Sequence, residues 1–67
     1  MAKSVLERLK VGQLVACVED GKHGHDMAKV VSNDGVTARL KLCGHVLWID
    51  LTEFSDVTLE QSTITFH

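Results

Sequence analysis

The segment Val36–Leu51, VTARLKLCGHVLWIDL, constrains the fold more than any other part of the chain. Its first half alternates, with apolar side chains at every second position and Arg39 and Lys41 between them. That period of two is typical of a strand with one buried face. After Gly44 comes a short run that is apolar on both faces, as in a strand buried on one side and used for contact on the other. The β-branched content and the shortness of each run disfavour a helix, so the segment predicts a hairpin that turns at Cys43-Gly44-His45.

Further strands are predicted on both sides of this hairpin. The tetrapeptide Ser32-Asn33-Asp34-Gly35 predicts a tight turn before it, because Asn, Asp and Gly tolerate the positive φ that tight turns need. Val57–Leu59 and Ser62–Phe66 supply the closing strand, interrupted near Glu60-Gln61. The other predicted strands are Gln13–Glu19, Met27–Ser32, Val36–Leu42 and Val46–Leu51.

The N-terminal segment carries a helix signal. Ser4 and Glu7 have the spacing of a capping box, and Val5, Leu6 and Leu9 form a short apolar stripe. We therefore expect a helix of one or two turns over Lys3–Lys10, lying over one end of the sheet. Five short strands with tight turns then predict an all-β, five-stranded closed barrel, which removes exposed strand edges. We expect residues 1–67 to form one domain, with a helical segment at 1–10 and the barrel at 11–67.

Composition narrows the classes of function. The 67 residues carry seven Lys and Arg against nine Asp and Glu, a formal charge of −2 that offers no bulk attraction to nucleic acid or to an anionic membrane. No apolar run approaches the roughly 20 residues needed to span a bilayer. The first ten residues lack the apolar core of a signal peptide. We therefore expect a cytoplasmic protein in which Cys17 and Cys43 are free thiols.

Four stretches resemble the Tudor and related SH3-like small β-barrels: Val11–Ala16, Met27–Val31, Leu42–His45 and Trp48–Phe54. The resemblance covers about Leu9–Leu59 and implies an SH3-like barrel. The N-terminal helix is similar to that of the Sm-like barrels, which are the alternative. Tudor domains that read methylated Lys or Arg use an aromatic cage, whereas this chain has His25 and Cys43 where those aromatics would lie. The resemblance therefore does not imply methyl reading.

Histidine and cysteine side chains suggest a metal site. If the barrel forms, the loop with His23 and His25 lies near the turn with Cys43 and His45, and Cys17 is a further thiol. Imidazole and thiolate are suitable Zn²⁺ ligands, although these spacings match no recognised structural zinc signature. Cys43 with His45 or His25 would also make a thiolate–imidazole pair. A barrel of this size leaves little room for a substrate cleft, so we predict that the protein is not an enzyme.

Two surfaces are candidates for binding a macromolecule. Lys29, Arg39 and Lys41 alternate outward on neighbouring strands and would contact the phosphates of RNA or DNA. We expect Trp48 to point inward, so that its neighbours on the same strand form an exposed apolar patch. The predicted partner-binding residues are Leu47, Trp48, Ile49 and Leu51.

The function predicted from the sequence is a small non-enzymatic adaptor or regulator that binds another protein or self-associates at the Val46–Leu51 strand. A regulator that binds nucleic acid and a metal-binding module are the alternatives.

Overall fold

A computed structural model describes residues 5–21 and 24–67. The described chain is mostly β-strand with one short helix, and its single sheet is curled into a half-barrel. The elements are α1 (Val5–Arg8), β1 (Leu14–Glu19), β2 (Asp26–Asn33), β3 (Thr37–Leu42), β4 (Trp48–Thr52), β5 (Val57–Glu60) and β6 (Thr63–Phe66).

The strands lie in the order β4-β3-β2-β1-β6-β5. Strands β1 to β4 form an antiparallel meander, and β5 and β6 form a separate hairpin. The hairpin joins the meander through a parallel pairing of β1 with β6, in which Cys17 lies opposite Ile64. The expected β content is therefore confirmed. The strand number and the closed barrel are wrong, because the sheet has six strands and does not close.

The extra strand arises from a turn that carries no glycine or asparagine. The expected single closing strand is divided at Gln61 and Ser62, whose φ angles are 47° and 66°. Positive φ at both central residues is the conformation of a two-residue hairpin loop that matches the twist of its flanking strands. The chain therefore reverses there, and Glu60 pairs with Thr63.

The turn between β2 and β3 is confirmed and is held by side chains. Asp34 Oδ1 accepts hydrogen bonds from the backbone N–H groups of Val36 and Thr37, both at 2.8 Å. The N–H of Gly35 donates to Asn33 Oδ1 at 3.1 Å. These bonds lower the pKa of the Asp34 carboxyl, the bond from Thr37 most and that from Val36 next, since each favours the ionised form.

Helix α1 covers one end of the sheet. Its described part, Val5–Arg8, is shorter than the predicted Lys3–Lys10, and the capping residue Ser4 lies outside the described residues. Leu6 and Leu9 are buried, as the apolar stripe predicts. Asn33 Nδ2 donates to the carbonyls of both leucines at 2.7 and 2.9 Å and so satisfies carbonyls at the helix end.

The core lies on the concave side of the curled sheet. The alternation predicted for β3 is confirmed, since Ala38, Leu40 and Leu42 are all buried. One irregularity interrupts the ladder between β2 and β3, where Val31 is an extra residue between the pairs Val30–Leu40 and Ser32–Arg39. Such a bulge increases the local twist of a hairpin. The other buried side chains are Leu6, Leu9, Val15, Cys17, Ala28, Val30, Leu51, Leu59 and Ile64.

Candidate functional site

The convex side of strands β1 to β4, called here the outer face, carries a row of four side chains in register. Leu14 lies opposite Lys29, Lys29 opposite Lys41, and Lys41 opposite Trp48. Because neighbouring strands are about 4.8 Å apart, the row crosses roughly 14 Å of surface. All four side chains are exposed. The sheet thus presents two lysines between a leucine and the only tryptophan.

Cations surround the indole ring of Trp48. Arg39 Cζ lies 4.8 Å from the ring centroid and Lys41 Nζ lies 5.8 Å from it. Arg39 Nε also donates to Asp50 Oδ1 at 3.0 Å across the β3–β4 ladder. A cation over an exposed ring contributes about 0.5–1 kcal/mol, so these contacts hold Trp48, which is 45% exposed, in place on the sheet.

The outer face is positively charged although the chain as a whole is not. Its strand residues from β1 to β4 include three cations, Lys29, Arg39 and Lys41, against one carboxylate, Asp50. Asp50 is already paired with Arg39. Lys29 and Lys41 stand directly opposite each other, a like-charge pairing that destabilises a sheet. An anionic group bound between the two lysines would remove that repulsion.

Large apolar side chains are exposed beside these cations. Leu14, Met27, Val31 and Trp48 are all exposed on the strands that form the outer face. A shallow depression of about 270 Å³ lies beside Val31, and its other lining residues are Lys29, Lys41, Leu42, Cys43 and Gly44. Protein interfaces are enriched in Trp, Met and Arg relative to the rest of the surface. The alternating sequence indicated the cations, and Trp48 was predicted as a partner-binding residue. Leu14, Met27 and Val31 were missed, because the place of each on this surface depends on strand register.

The predicted orientation of the contact strand is wrong. Trp48 is 45% exposed and lies outside, whereas Leu51 is 1% exposed and belongs to the core. Ile49 is half-buried and packs against the core, and only Leu47 is exposed as expected. Register explains the reversal, because Leu51 pairs with Ala38 and Ile49 with Leu40, and both partners are buried. Of the four predicted partner-binding residues, the structure therefore leaves Leu47 and Trp48 available on the surface.

Three of the four predicted metal ligands, His25, Cys43 and His45, lie in the described part of the chain and are not grouped as a metal site would require. His25 precedes β2, while Cys43 and His45 lie in the turn between β3 and β4. His23 lies outside the described residues. Across residues 5–21 and 24–67, no three His, Cys, Asp or Glu side chains are grouped as a metal site would require. Metal binding stays a prediction.

Cys17 occupies a different environment from Cys43. Both are free thiols, but Cys43 is exposed while Cys17 is buried. Burial raises the pKa of the Cys17 thiol, and the neighbouring charge of Asp26 raises it further. The thiolate is the reactive form of cysteine, so Cys17 is a poor nucleophile at neutral pH. It lines a recess of about 440 Å³ on the concave side, together with His25, Asp26, Leu42, Ile49 and Phe66 among others.

Comparison with protein-family models, with curated proteins and with solved structures finds no match for this chain. The Tudor and SH3-like resemblance therefore stays a prediction. The one described helix, Val5–Arg8, falls far short of the length needed to cross a membrane.

Proposed function

We propose that this protein is a non-enzymatic adaptor or regulator whose outer face binds an acidic and apolar segment of another protein. The observation that carries the proposal is the row formed by Leu14, Lys29, Lys41 and Trp48, in which two opposed lysines lie between exposed apolar side chains. A carboxylate placed between the lysines would relieve their repulsion. Apolar side chains on either side of that carboxylate would bury Leu14 and Trp48.

The apolar members of the face favour a protein as the partner. Leu14, Met27 and Val31 give a protein apolar area to bury, whereas nucleic acid binding relies mainly on cations and aromatic rings. The formal charge of −2 would also repel a polyanion at long range, while a partner with one or two carboxylates would be attracted locally. Exposed Trp and Arg side chains are also frequent among the residues that dominate binding energy at protein interfaces.

Single-stranded nucleic acid is the second candidate, and one observation favours it. Arg39 and Lys41 lie over the ring of Trp48 and Lys29 lies opposite Lys41, so phosphates and one stacked base would find partners on the same face. Such binding would weaken steeply with salt.

Two further predictions accompany the proposal. A relationship to the SH3-like barrels is supported by the antiparallel meander of β1 to β4, and a cytoplasmic location is supported by the free thiols Cys17 and Cys43.

Selection from a display library of random peptides tests the proposal. The immobilised protein should enrich peptides that combine Asp or Glu with apolar residues. The enriched peptides should change the fluorescence of Trp48, which is the only tryptophan in the chain. Lys41→Gln should weaken that binding by about tenfold. Lys10→Gln, which removes an exposed cation outside strands β1 to β4, should not change it.

The outcomes separate the two candidates. Enrichment that is equal for the protein and for its Lys41→Gln variant would overturn the proposal. Quenching of Trp48 by oligothymidylate at low salt, lost in Lys41→Gln, would favour nucleic acid instead. Absence of both kinds of binding would remove the outer face as a binding site.

A further inference from the structure

The half-barrel ends in two strands that are each paired on one side only, β4 and β5, and the edge of β5 is partly covered. The backbone N–H of His67 donates to the carbonyl of Asp56 at 3.0 Å. Asp56, and every second residue after it in β5, therefore directs its backbone N–H and C=O groups toward β6. By that alternation Val57 and Leu59 direct their backbone groups to the open side. Arg8 Nη1 donates to the Leu59 carbonyl at 2.8 Å, and the Val57 N–H donates to the carbonyl of Ser55 at 3.0 Å. The residue Arg8 of α1 and the turn before β5 therefore satisfy two of the four outward backbone groups of Val57 and Leu59.

The edge of β4 is more open. The Leu42 N–H donates to the Leu47 carbonyl at 3.1 Å, so residues 47, 49 and 51 direct their backbone groups toward β3. Trp48, Asp50 and Thr52 consequently direct theirs away from the sheet. The groups of Thr52 are satisfied by the following turn, because its N–H donates to Ser55 Oγ at 2.9 Å and its carbonyl accepts from the Ser55 N–H at 3.1 Å. Within residues 5–21 and 24–67, the edge of β4 thus presents the backbone groups of Trp48 and Asp50 to an incoming strand.

We propose that this edge pairs with the same edge of a second copy of the chain, in an antiparallel arrangement whose two-fold axis passes by Ile49. Trp48 of each copy then lies opposite Asp50 of the other. Both of these residues direct their N–H and C=O groups outward, so the two pairs exchange four hydrogen bonds. The contact uses the same surface on both copies, as two-fold dimers require. Every open backbone group identified on β4 is satisfied by it.

Registers shifted toward the C-terminal end of β4 use the edge less well. An axis at Asp50 would place the Asp50 carboxylates of the two copies directly opposite each other, and like charges in that position are destabilising. It would also pair Trp48 with Thr52, whose backbone groups already bond within the turn. An axis at Leu51 would pair Asp50 with Thr52 and meet the same obstacle. The register centred on Ile49 is the one of the three that avoids both.

Side chains support the same register. On the outer side, Asp50 of one copy comes beside Trp48 of the other. Within one chain, Arg39 lies over Trp48 and forms an ion pair with Asp50. The dimer therefore places this group of three side chains next to the same group of the second copy. On the concave side, Ile49 meets Ile49 of the second copy. Ile49 is half-buried in the single chain, so the pairing covers apolar surface that the open half-barrel leaves exposed.

This dimer goes beyond the proposed function and does not depend on it, since it uses the backbone edge of β4 while the outer face uses side chains of β1 to β4. It would join the two outer faces into one continuous surface with two copies of each cation. Sedimentation equilibrium and peptide selection report on the two proposals separately, so the failure of one is distinguishable from the failure of the other.

Proline substitution provides the first test. The Asp50 N–H points away from β3, so Asp50→Pro removes a donor from the edge and keeps the ladder within the chain. The average mass of the unchanged protein should rise toward that of a dimer as its concentration increases, and Asp50→Pro should weaken association at least about tenfold. Asp50→Asn is the matched control, because it removes the charge and keeps the N–H. Equal association of the two variants, or a monomer at every concentration, would overturn the proposal.

Cross-linking provides a second test that does not depend on how well the proline variant folds. In a Cys43→Ser background, Ile49→Cys places two thiols at the axis, where opposed Cα atoms lie about 4.5 Å apart and within disulfide range. Mild oxidation should give a disulfide-linked dimer. Leu47→Cys is more exposed in the single chain but lies far from its own copy in this register. It should cross-link at least about tenfold more slowly. Equal rates, or no cross-linking of Ile49→Cys, would contradict the register.

Discussion

Lys29 and Lys41 lie directly opposite each other on the outer face, in the ladder between β2 and β3. Like charges in that position destabilise a sheet. The protein therefore carries an unfavourable pair on an exposed surface that also displays its only tryptophan. Local features that oppose stability are frequently found at functional sites. The opposed lysines are therefore the main physical support for the binding site that we propose on the outer face.

Replacing one of the two lysines by an acid should stabilise the protein. Lys29→Glu places a carboxylate opposite Lys41, and we expect the free energy of unfolding to rise by about 0.5 kcal/mol at low salt. Lys29→Gln, which removes the repulsion without adding an attraction, should give a smaller increase. Denaturant titrations at low and high salt measure the effect, which should shrink as salt screens the charges. A less stable Lys29→Glu variant at low salt would show that the lysines do not repel each other. The same substitution should weaken binding to acidic peptides.

The orientation of β4 predicts opposite outcomes for two truncations. Leu51→Ala removes a buried side chain and should lower the free energy of unfolding by about 2–5 kcal/mol. Trp48→Ala removes an exposed ring held mainly by Arg39 and Lys41 and should lower it by about 1 kcal/mol. Circular dichroism melts can follow both variants, since neither needs the tryptophan signal. A larger loss for Trp48→Ala than for Leu51→Ala would reverse the assignment of the two faces.

Two substitutions in the turn between β5 and β6 should raise the free energy of unfolding. Gln61 and Ser62 both adopt positive φ, where side chains other than Asn and Gly are strained. The double substitution Gln61→Asn with Ser62→Gly introduces the residues preferred in this turn type and should raise the free energy of unfolding by about 1 kcal/mol. It gives up one exposed hydrogen bond, from Gln13 Nε2 to Ser62 Oγ at 3.1 Å. Thermal denaturation measures the net effect. Destabilisation by the pair would indicate that β5 and β6 do not form this turn.

The Asp34 turn predicts a specific dependence of stability on pH. Hydrogen bonds from Thr37 and Val36 lower the pKa of Asp34 below its ordinary value of 3.8 in the folded chain. The carboxylate therefore contributes its full stabilisation above that value, and the contribution is lost as the pH falls through the lower folded pKa. Asp34→Asn keeps an acceptor oxygen that does not titrate. The difference in unfolding free energy between the two proteins should therefore narrow as the pH drops below 3.8. A difference that does not change with pH would mean that Asp34 does not hold the turn as an ion.

Local patterns predicted the parts of the fold that depend on local interactions. The alternation in β3 correctly indicated that Ala38 and Leu40 are buried, because successive side chains of a strand point to opposite faces. The turn at Asn33–Gly35 was predictable because its side chains bond their own neighbouring backbone. The positions of Lys29, Arg39 and Lys41 on one face followed from the same alternation.

The tertiary structure decided everything that depends on which strands meet. The run around Trp48 is apolar on both faces, so its sequence is compatible with either orientation, and only the pairing of Leu51 with Ala38 and of Ile49 with Leu40 turns Trp48 outward. An interruption near Glu60-Gln61 was predicted, but no Gly or Asn at Gln61-Ser62 indicates that the chain reverses there. The parallel pairing of β6 with β1 joins segments more than forty residues apart, as between Ala16 and Thr63. The sequence by itself determined the strands that alternate and their buried faces, as in β3, because these follow from neighbours along the chain. Register, strand order and the open edge of β4 follow from contacts between distant segments, so they required the folded structure.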